Sequence, residues 1–129
     1  MGSSTYGTRG VTAPGILASV AGVNLSATAL VSLFTVPTGK SCVITNVYVR
    51  NASAPVTIAT TGFGFDINAT NVFSPTGLNI LSNSGVMTSV LTPTAARTVG
   101  TSGQTFGTKP TIAELGPVTV TIDVEGYLV

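Results

Sequence analysis

The C-terminal stretch Val118–Val129 constrains the fold of this chain more than any other segment. Valine or isoleucine occupies every second position from 118 to 124, and threonine or acidic residues fill the positions between them. Side chains of an extended strand alternate between its two faces, so one face would be apolar and the other polar. Gly126 interrupts the alternation, which is typical of a β-bulge or of close approach by another backbone segment. The pattern predicts a long strand paired inside a sheet, with the rest of the chain assembled against it.

Short β-branched segments separated by turn residues recur at intervals of roughly 8–12 residues, which is typical of a sandwich or barrel. Cys42–Arg50 is predicted to be a central strand covered on both faces, with Val43, Thr45, Val47 and Val49 on one of them. Further strands are predicted at Pro55–Thr60, Gly62–Ile67, Leu78–Leu81, Val86–Leu91, Thr105–Phe106 and Thr111–Leu115, with loops at 68–77 and 92–104. No blade-like repeat is present, so an all-β sandwich is favoured over a propeller.

The uncharged stretch Gly15–Val36 allows three interpretations. A transmembrane helix has the required length of about 20 residues, but Asn24, two glycines and several hydroxyl residues argue against it. A signal peptide is a second interpretation, with Arg9 ahead of small residues. The favoured interpretation is a pair of buried strands, Ile16–Val23 and Ala29–Val36, separated by a polar turn.

The charged residues are too few and too scattered for several classes of function. They make up 7% of the chain, against roughly 25% in a typical domain. The five basic residues lie singly, so no cluster suited to nucleic acid is present. The chain contains no histidine, which removes histidine metal ligands and the Ser-His-Asp and Cys-His arrangements. Cys42 is the only cysteine and lies in an apolar strand pattern, which predicts a buried, unreactive thiol.

Asp123 and Glu125 are the one pair of carboxylates whose spacing suggests a catalytic or metal-binding role. They lie two positions apart on the polar face of the last strand, about 6.5–7 Å along it. This spacing is compatible with a glycosidase pair or with part of a calcium site. A polar sheet face, or ion pairing to a neighbouring subunit, is the preferred interpretation, because no tryptophan is available for sugar stacking and no Asp-rich loop supplies further oxygen ligands.

Residues 1–14 are rich in Gly, Ser and Thr and show no periodicity. They are predicted to form an N-terminal arm, ahead of one β-sandwich domain at 15–129.

Two segments carry a resemblance to a known family. LFTVPTGKSCVITNVYVRNAS, at 33–53, resembles the opening of small jelly-roll proteins encoded among the structural genes of tailed bacteriophages, and TVTIDVEGYLV, at 119–129, resembles their closing strand. The stretch FGFDINATN, at 63–71, is also similar. Glu125 stands where the family motif has an aromatic residue. The resemblance implies a jelly-roll β-sandwich and a place on the virion surface, as a capsid decoration (cement) protein or as part of a fibre.

Several expectations follow from this resemblance and the composition. The protein is expected to be a non-enzymatic virion structural protein without cofactors, to be made in the host cytoplasm, and to bind neither nucleic acid nor membrane. It is expected to form a homotrimer and to bind the major capsid protein of the same virion. Tyr6 and Arg9 in the arm are the predicted shell contacts, since a disordered arm can fold upon binding. Val31 and Leu33 are the predicted oligomer contacts, because the uncharged stretch offers more apolar surface than one sandwich face needs.

The alternative hypothesis is a receptor- or carbohydrate-binding head of a phage fibre or tail. Its recognition surface would consist of the loops at 68–77 and 92–104, because loops on a rigid sandwich often carry function.

Overall fold

The computed structural model describes residues 15–79, 81, 88–91 and 99–129, with residues 88–91 described as backbone only. The predicted arm, including Tyr6 and Arg9, lies outside the described residues. The strands of the described part are β1 (Gly15–Asn24), β2 (Val31–Thr35), β3 (Cys42–Arg50), β4 (Thr60–Gly64), β5 (Phe73–Gly77), β6 (Thr88–Leu91), β7 (Val99–Gly100), β8 (Thr105–Ile112) and β9 (Thr119–Leu128).

The described strands form two antiparallel sheets, so the predicted all-β sandwich class is confirmed. The first sheet has the order β1-β9-β3-β6, and the short β7 also pairs with β3. The second sheet has the order β2-β8-β4-β5. The pairs are nested along the chain: β1 pairs with β9, β2 with β8, β3 with β6 and β4 with β5. One long antiparallel ribbon is thereby folded over, so that alternate segments fall in opposite sheets.

Both sheets contribute to one apolar core. Its fully buried members include β-branched side chains of the first sheet and phenylalanines of the second: Ile44, Val47, Val49, Ile122, Val124, Phe63, Phe73 and Phe106. The phenylalanine rings contact each other at centroid distances of 5.6–6.2 Å, which adds directional packing to the buried area.

Strand β9 confirms the prediction made from its alternation. Its valines and isoleucine face the core, whereas Thr121, Asp123 and Glu125 face outward. Gly126 lies opposite an irregularity in β3, where an added Cβ would overlap the backbone carbonyl oxygen of Val43. The predicted close backbone approach at Gly126 is therefore confirmed.

The same irregularity makes the predicted face assignment of β3 wrong. The register with β9 shifts between Ile44 and Asn46, so one residue of β3 has no opposite number. Ile44 faces the core before this bulge and Val47 faces it afterwards, because an extra residue exchanges the two faces. The outer face is therefore partly polar, and β3, although central, is covered on one face only.

The uncharged stretch forms β1 and β2, so the two predicted strands are confirmed. Their predicted burial is wrong, because only Val23 and Leu33 are buried within them. Four other predictions were wrong. Residues 55–59 lack strand pairing, and only Thr60, the first residue of β4, belongs to a strand. In the predicted strand 78–81, the Leu81 amide donates to the Leu78 carbonyl, as in a turn. The predicted loop at 68–77 contains β5, an edge strand that tolerates Pro75 because its outer amides need no ladder partner. One continuous strand, β8, replaces the two predicted pieces.

Candidate functional site

Asp123 is held by two neighbouring strands on the outer face of the first sheet. Arg50 Nε donates to Asp123 Oδ2 (2.7 Å), and Nη2 donates to Oδ1 (3.3 Å). Ser19 Oγ of β1 donates to Oδ1 (2.6 Å). The Arg50 bonds lower the pKa of Asp123, and the same pairing raises the pKa of Arg50. The three side chains thereby link β1, β9 and β3 across the sheet.

Glu125 is the centre of a second polar group on this face. Tyr48 Oη donates to Glu125 Oε1 (3.0 Å), which raises the pKa of the tyrosine because the bond favours its protonated form. Thr45 Oγ1 of the bulge donates to the Glu125 backbone carbonyl (3.2 Å). Asp123 and Glu125 each bond side chains of their own chain. The preferred polar-face interpretation of the pair is thus supported, with the ion pair formed inside the chain instead of between subunits.

Neither metal ligation nor thiol chemistry has a site in the described residues. No group of three or more Cys, Asp or Glu side chains that could hold a metal ion is found among them. Cys42 is fully buried, and burial raises the pKa of its thiol to about 11. The prediction of a buried thiol is confirmed, and its raised pKa keeps it protonated near neutrality.

Glu114 is the functional side chain that sequence reasoning missed. It is only 6% exposed, yet it carries a carboxylate into the connection between β3 and β4. Its two oxygens accept bonds from the amides of Thr57 (2.9 and 3.0 Å), Ile58 (2.8 Å) and Ala59 (3.0 Å), and from the Thr57 hydroxyl.

Burial opposes the ionised form of Glu114, but these bonds outweigh it and lower the pKa to about 2. They also explain why residues 55–59, ahead of β4, do not form the predicted strand. Three of their amides bond a side chain instead of a sheet neighbour.

Three sheet-to-sheet connections meet around Glu114, and we call them together the closed end: residues 25–30, 51–59 and 113–118. The Glu114 amide donates to the Leu25 carbonyl (2.8 Å), and the Leu25 amide donates to the Val118 carbonyl (2.9 Å). Ser26 Oγ bonds both the Gly116 carbonyl and the Val118 amide. Ser53 exchanges backbone and side-chain bonds with Thr119. Each connection is therefore fixed to another by hydrogen bonds.

The two predicted oligomer contacts lie in different environments. Val31 begins edge strand β2 and is partly buried against the core. Leu33, at 7% exposure, belongs to the core of its own chain. A charge at Leu33 would therefore disturb folding, whereas Val31 is placed where another chain could reach it. Of the two predicted recognition loops, the part of 68–77 from Phe73 onward is β5, and residues 92–98 lie outside the described residues.

No helix in the described part of the chain is long and apolar enough to cross a membrane.

Comparison with solved structures gives a likeness in fold. No family model and no curated protein matches the chain. A chain from the capsid asymmetric unit of cyanophage Pam1 has a similar fold, with a TM-score of 0.59 and 18% sequence identity. The match covers 90% of this chain and 85% of the other. The β-sandwich is thus shared over nearly the whole length of both chains.

Proposed function

We propose that this protein is a virion structural protein of a tailed bacteriophage, a capsid decoration (cement) protein that binds the assembled head and stabilises it. The observation that carries the proposal is the likeness to a chain of a phage capsid over 90% of the sequence. The motifs at 33–53 and 119–129 support it independently, because they resemble phage structural proteins. The nested order of β1-β9-β3-β6 and β2-β8-β4-β5 supports the jelly-roll assignment.

The chemistry of the described residues is in keeping with a non-enzymatic role. Glu114, Asp123 and Glu125 are all engaged in hydrogen bonds that hold strands or connections together. The proposed partners are further copies of the chain, as a homotrimer, and the major capsid protein of the same virion. Val31 remains the proposed contact between copies, and Tyr6 and Arg9 remain the proposed contacts to the shell.

The mechanism would be mass action. A protein that binds the assembled shell and not its separated subunits stabilises the shell by RT ln(1 + [L]/Kd), about 2.7 kcal/mol at a concentration of 100 Kd.

The proposal is tested by adding the purified protein to heads that lack it. Cryo-electron microscopy is expected to show density for the chain on the capsid exterior, and the treated heads are expected to survive a higher temperature than untreated ones. The double variant Tyr6→Ser/Arg9→Ser is expected to bind more weakly, with its fold unchanged by circular dichroism. Absence of the chain from the capsid exterior would contradict the proposal.

A further inference from the structure

The closed end exposes apolar side chains but no free charge. The one charged residue in its three connections is Glu114, which is buried and bonded to backbone amides. Arg50 borders the connection 51–59, and its guanidinium is paired with Asp123. Leu115 and Ile58 of the closed end are exposed, with fractions of 89% and 41%, and so is Ile112 (50%), which directly precedes the connection 113–118.

Hydrogen bonds within the chain fix the arrangement of this surface. The Ile58 amide is one of the three that Glu114 binds, and Leu115 is the next residue after Glu114 itself. Ile112 ends β8, opposite Thr60 of β4. A surface fixed in this way loses little conformational entropy when it is covered, so more of its apolar area contributes to affinity.

We propose that the closed end is a contact surface between copies of this chain, which meet there around the symmetry axis of the proposed homo-oligomer. This inference rests on the proposed function and adds a second contact to Val31. The exposed Leu30 of connection 25–30 directly precedes Val31, so the two contacts are continuous along the chain.

The absence of charge favours a second copy over a different protein as the occupant. Around a symmetry axis the same side chains of each copy approach one another, and any exposed charge there would face its like. Unlike partners commonly meet through complementary charges, which steer and orient them. A neutral apolar surface is complementary to itself, and the closed end satisfies this condition because its only carboxylate is turned inward.

The test compares Leu115→Lys with Ile67→Lys. Both replace a highly exposed apolar side chain, and Ile67 (77% exposed) lies in the connection 65–72 at the opposite end of the sandwich. Sedimentation velocity over a concentration series gives the dissociation constant of the oligomer, and binding to stripped heads is measured separately. Leu115→Lys is expected to weaken self-association at least about ten-fold, while Ile67→Lys leaves it unchanged. Leu115→Ser should have a smaller effect, because it removes apolar area without adding like charges.

Three results would overturn the inference. The first is a wild-type protein that remains monomeric at all concentrations. The second is a Leu115→Lys variant that assembles as the wild type does. The third is a Leu115→Lys variant that assembles normally but no longer binds heads, which would assign the closed end to the shell and leave the proposed function standing. A different result would contradict the proposed function and retain the inference: the wild type does not bind heads, but the Leu115→Lys substitution still dissociates the oligomer.

Discussion

Replacing Glu114 by Gln tests whether this single carboxylate holds the closed end together. Glutamine keeps the size of the side chain, but one acceptor oxygen becomes an amide group. In place of Oε1 its hydrogens would face the amides of Thr57, Ile58 and Ala59, and in place of Oε2 they would face the Thr57 amide and hydroxyl. Hydrogen bonds to a charged group contribute about 1.5–3 kcal/mol each. The lowered pKa gives a second measure: a fall from 4.5 to about 2 corresponds to about 3 kcal/mol at neutral pH. We expect a loss of about 2–4 kcal/mol.

The pH dependence of stability provides an independent check on the same side chain. The pKa of Glu114 in the folded protein lies below its ordinary value of 4.5, so its contribution is fully present above that value. The contribution is lost as the pH falls from about 4.5 toward 2, because the unfolded chain takes up the proton first. Glu114→Gln should therefore be less stable than the wild type at neutral pH and should converge with it at acidic pH.

Urea unfolding at a fixed protein concentration, repeated at several pH values, measures both effects. The concentration is fixed because association raises apparent stability. Glu125→Gln is the matched control, since its carboxylate bonds Tyr48 on the outer sheet face, and we expect it to cost under about 1 kcal/mol. The reasoning is refuted if Glu114→Gln and Glu125→Gln unfold alike, or if the difference between Glu114→Gln and the wild type persists unchanged at low pH.

Three further predictions follow from packing. Gly126→Ala should cost about 1–3 kcal/mol by overpacking, whereas Gly116→Ala, whose added Cβ meets nothing within 4 Å, should be nearly neutral in the same urea assay. The Cys42 thiol should react with a thiol reagent only in denaturant, and labelling of the folded protein would contradict its burial. Val31→Asp should impair assembly with the fold retained, whereas Thr121→Lys on the polar sheet face should leave assembly unchanged. Equal masses of the two variants by light scattering would exclude the β2 edge as a contact between copies.

The sequence predicted most reliably the segments whose structure depends on neighbouring residues. The alternation before Gly126 specifies both the strand and its inward face, because period two is a local property of an extended chain. The turn after β2 has a local signal of the same kind, since Pro37 fixes its φ and Gly39 accepts a positive φ (79°), and the Lys40 amide donates to the Pro37 carbonyl there (3.1 Å). Glycine at alternate positions of a strand is a further local signal, of close approach by another backbone, and a Cβ added at Gly62 would lie within 3 Å of the carbonyl oxygens of Ala69 and Phe73.

The missed features depend on residues far apart in the sequence. The Thr57 amide donates to Glu114 across a separation of 57 residues. No pattern near either residue predicts that a carboxylate, instead of a neighbouring strand, will accept the hydrogen bonds of these amides. A lone acidic residue inside an apolar segment was the available signal, since charges are rarely buried without partners. The β3 bulge was hidden for a related reason. Valines on both sides of Thr45 look equally suited to either face, and only pairing with β9 decides which face each one takes.

The bulge in β3 also determines which side chains lie on the outer face of the first sheet, and this leads to a prediction about the effect of salt on assembly. Tyr48 and Arg50 occupy the outer face of β3, whereas Leu30, Ile58 and Leu115 are exposed apolar side chains of the closed end. Contacts there involve no free charges, so the dissociation constant of the oligomer should change less than about two-fold between low and high sodium chloride, because screening acts only on charges. Sulfate should strengthen assembly, since it favours apolar burial. Binding to heads through Arg9 should weaken as sodium chloride rises, which separates the two kinds of contact in one titration. An oligomer that dissociates as sodium chloride is raised would show that charged residues hold the copies together.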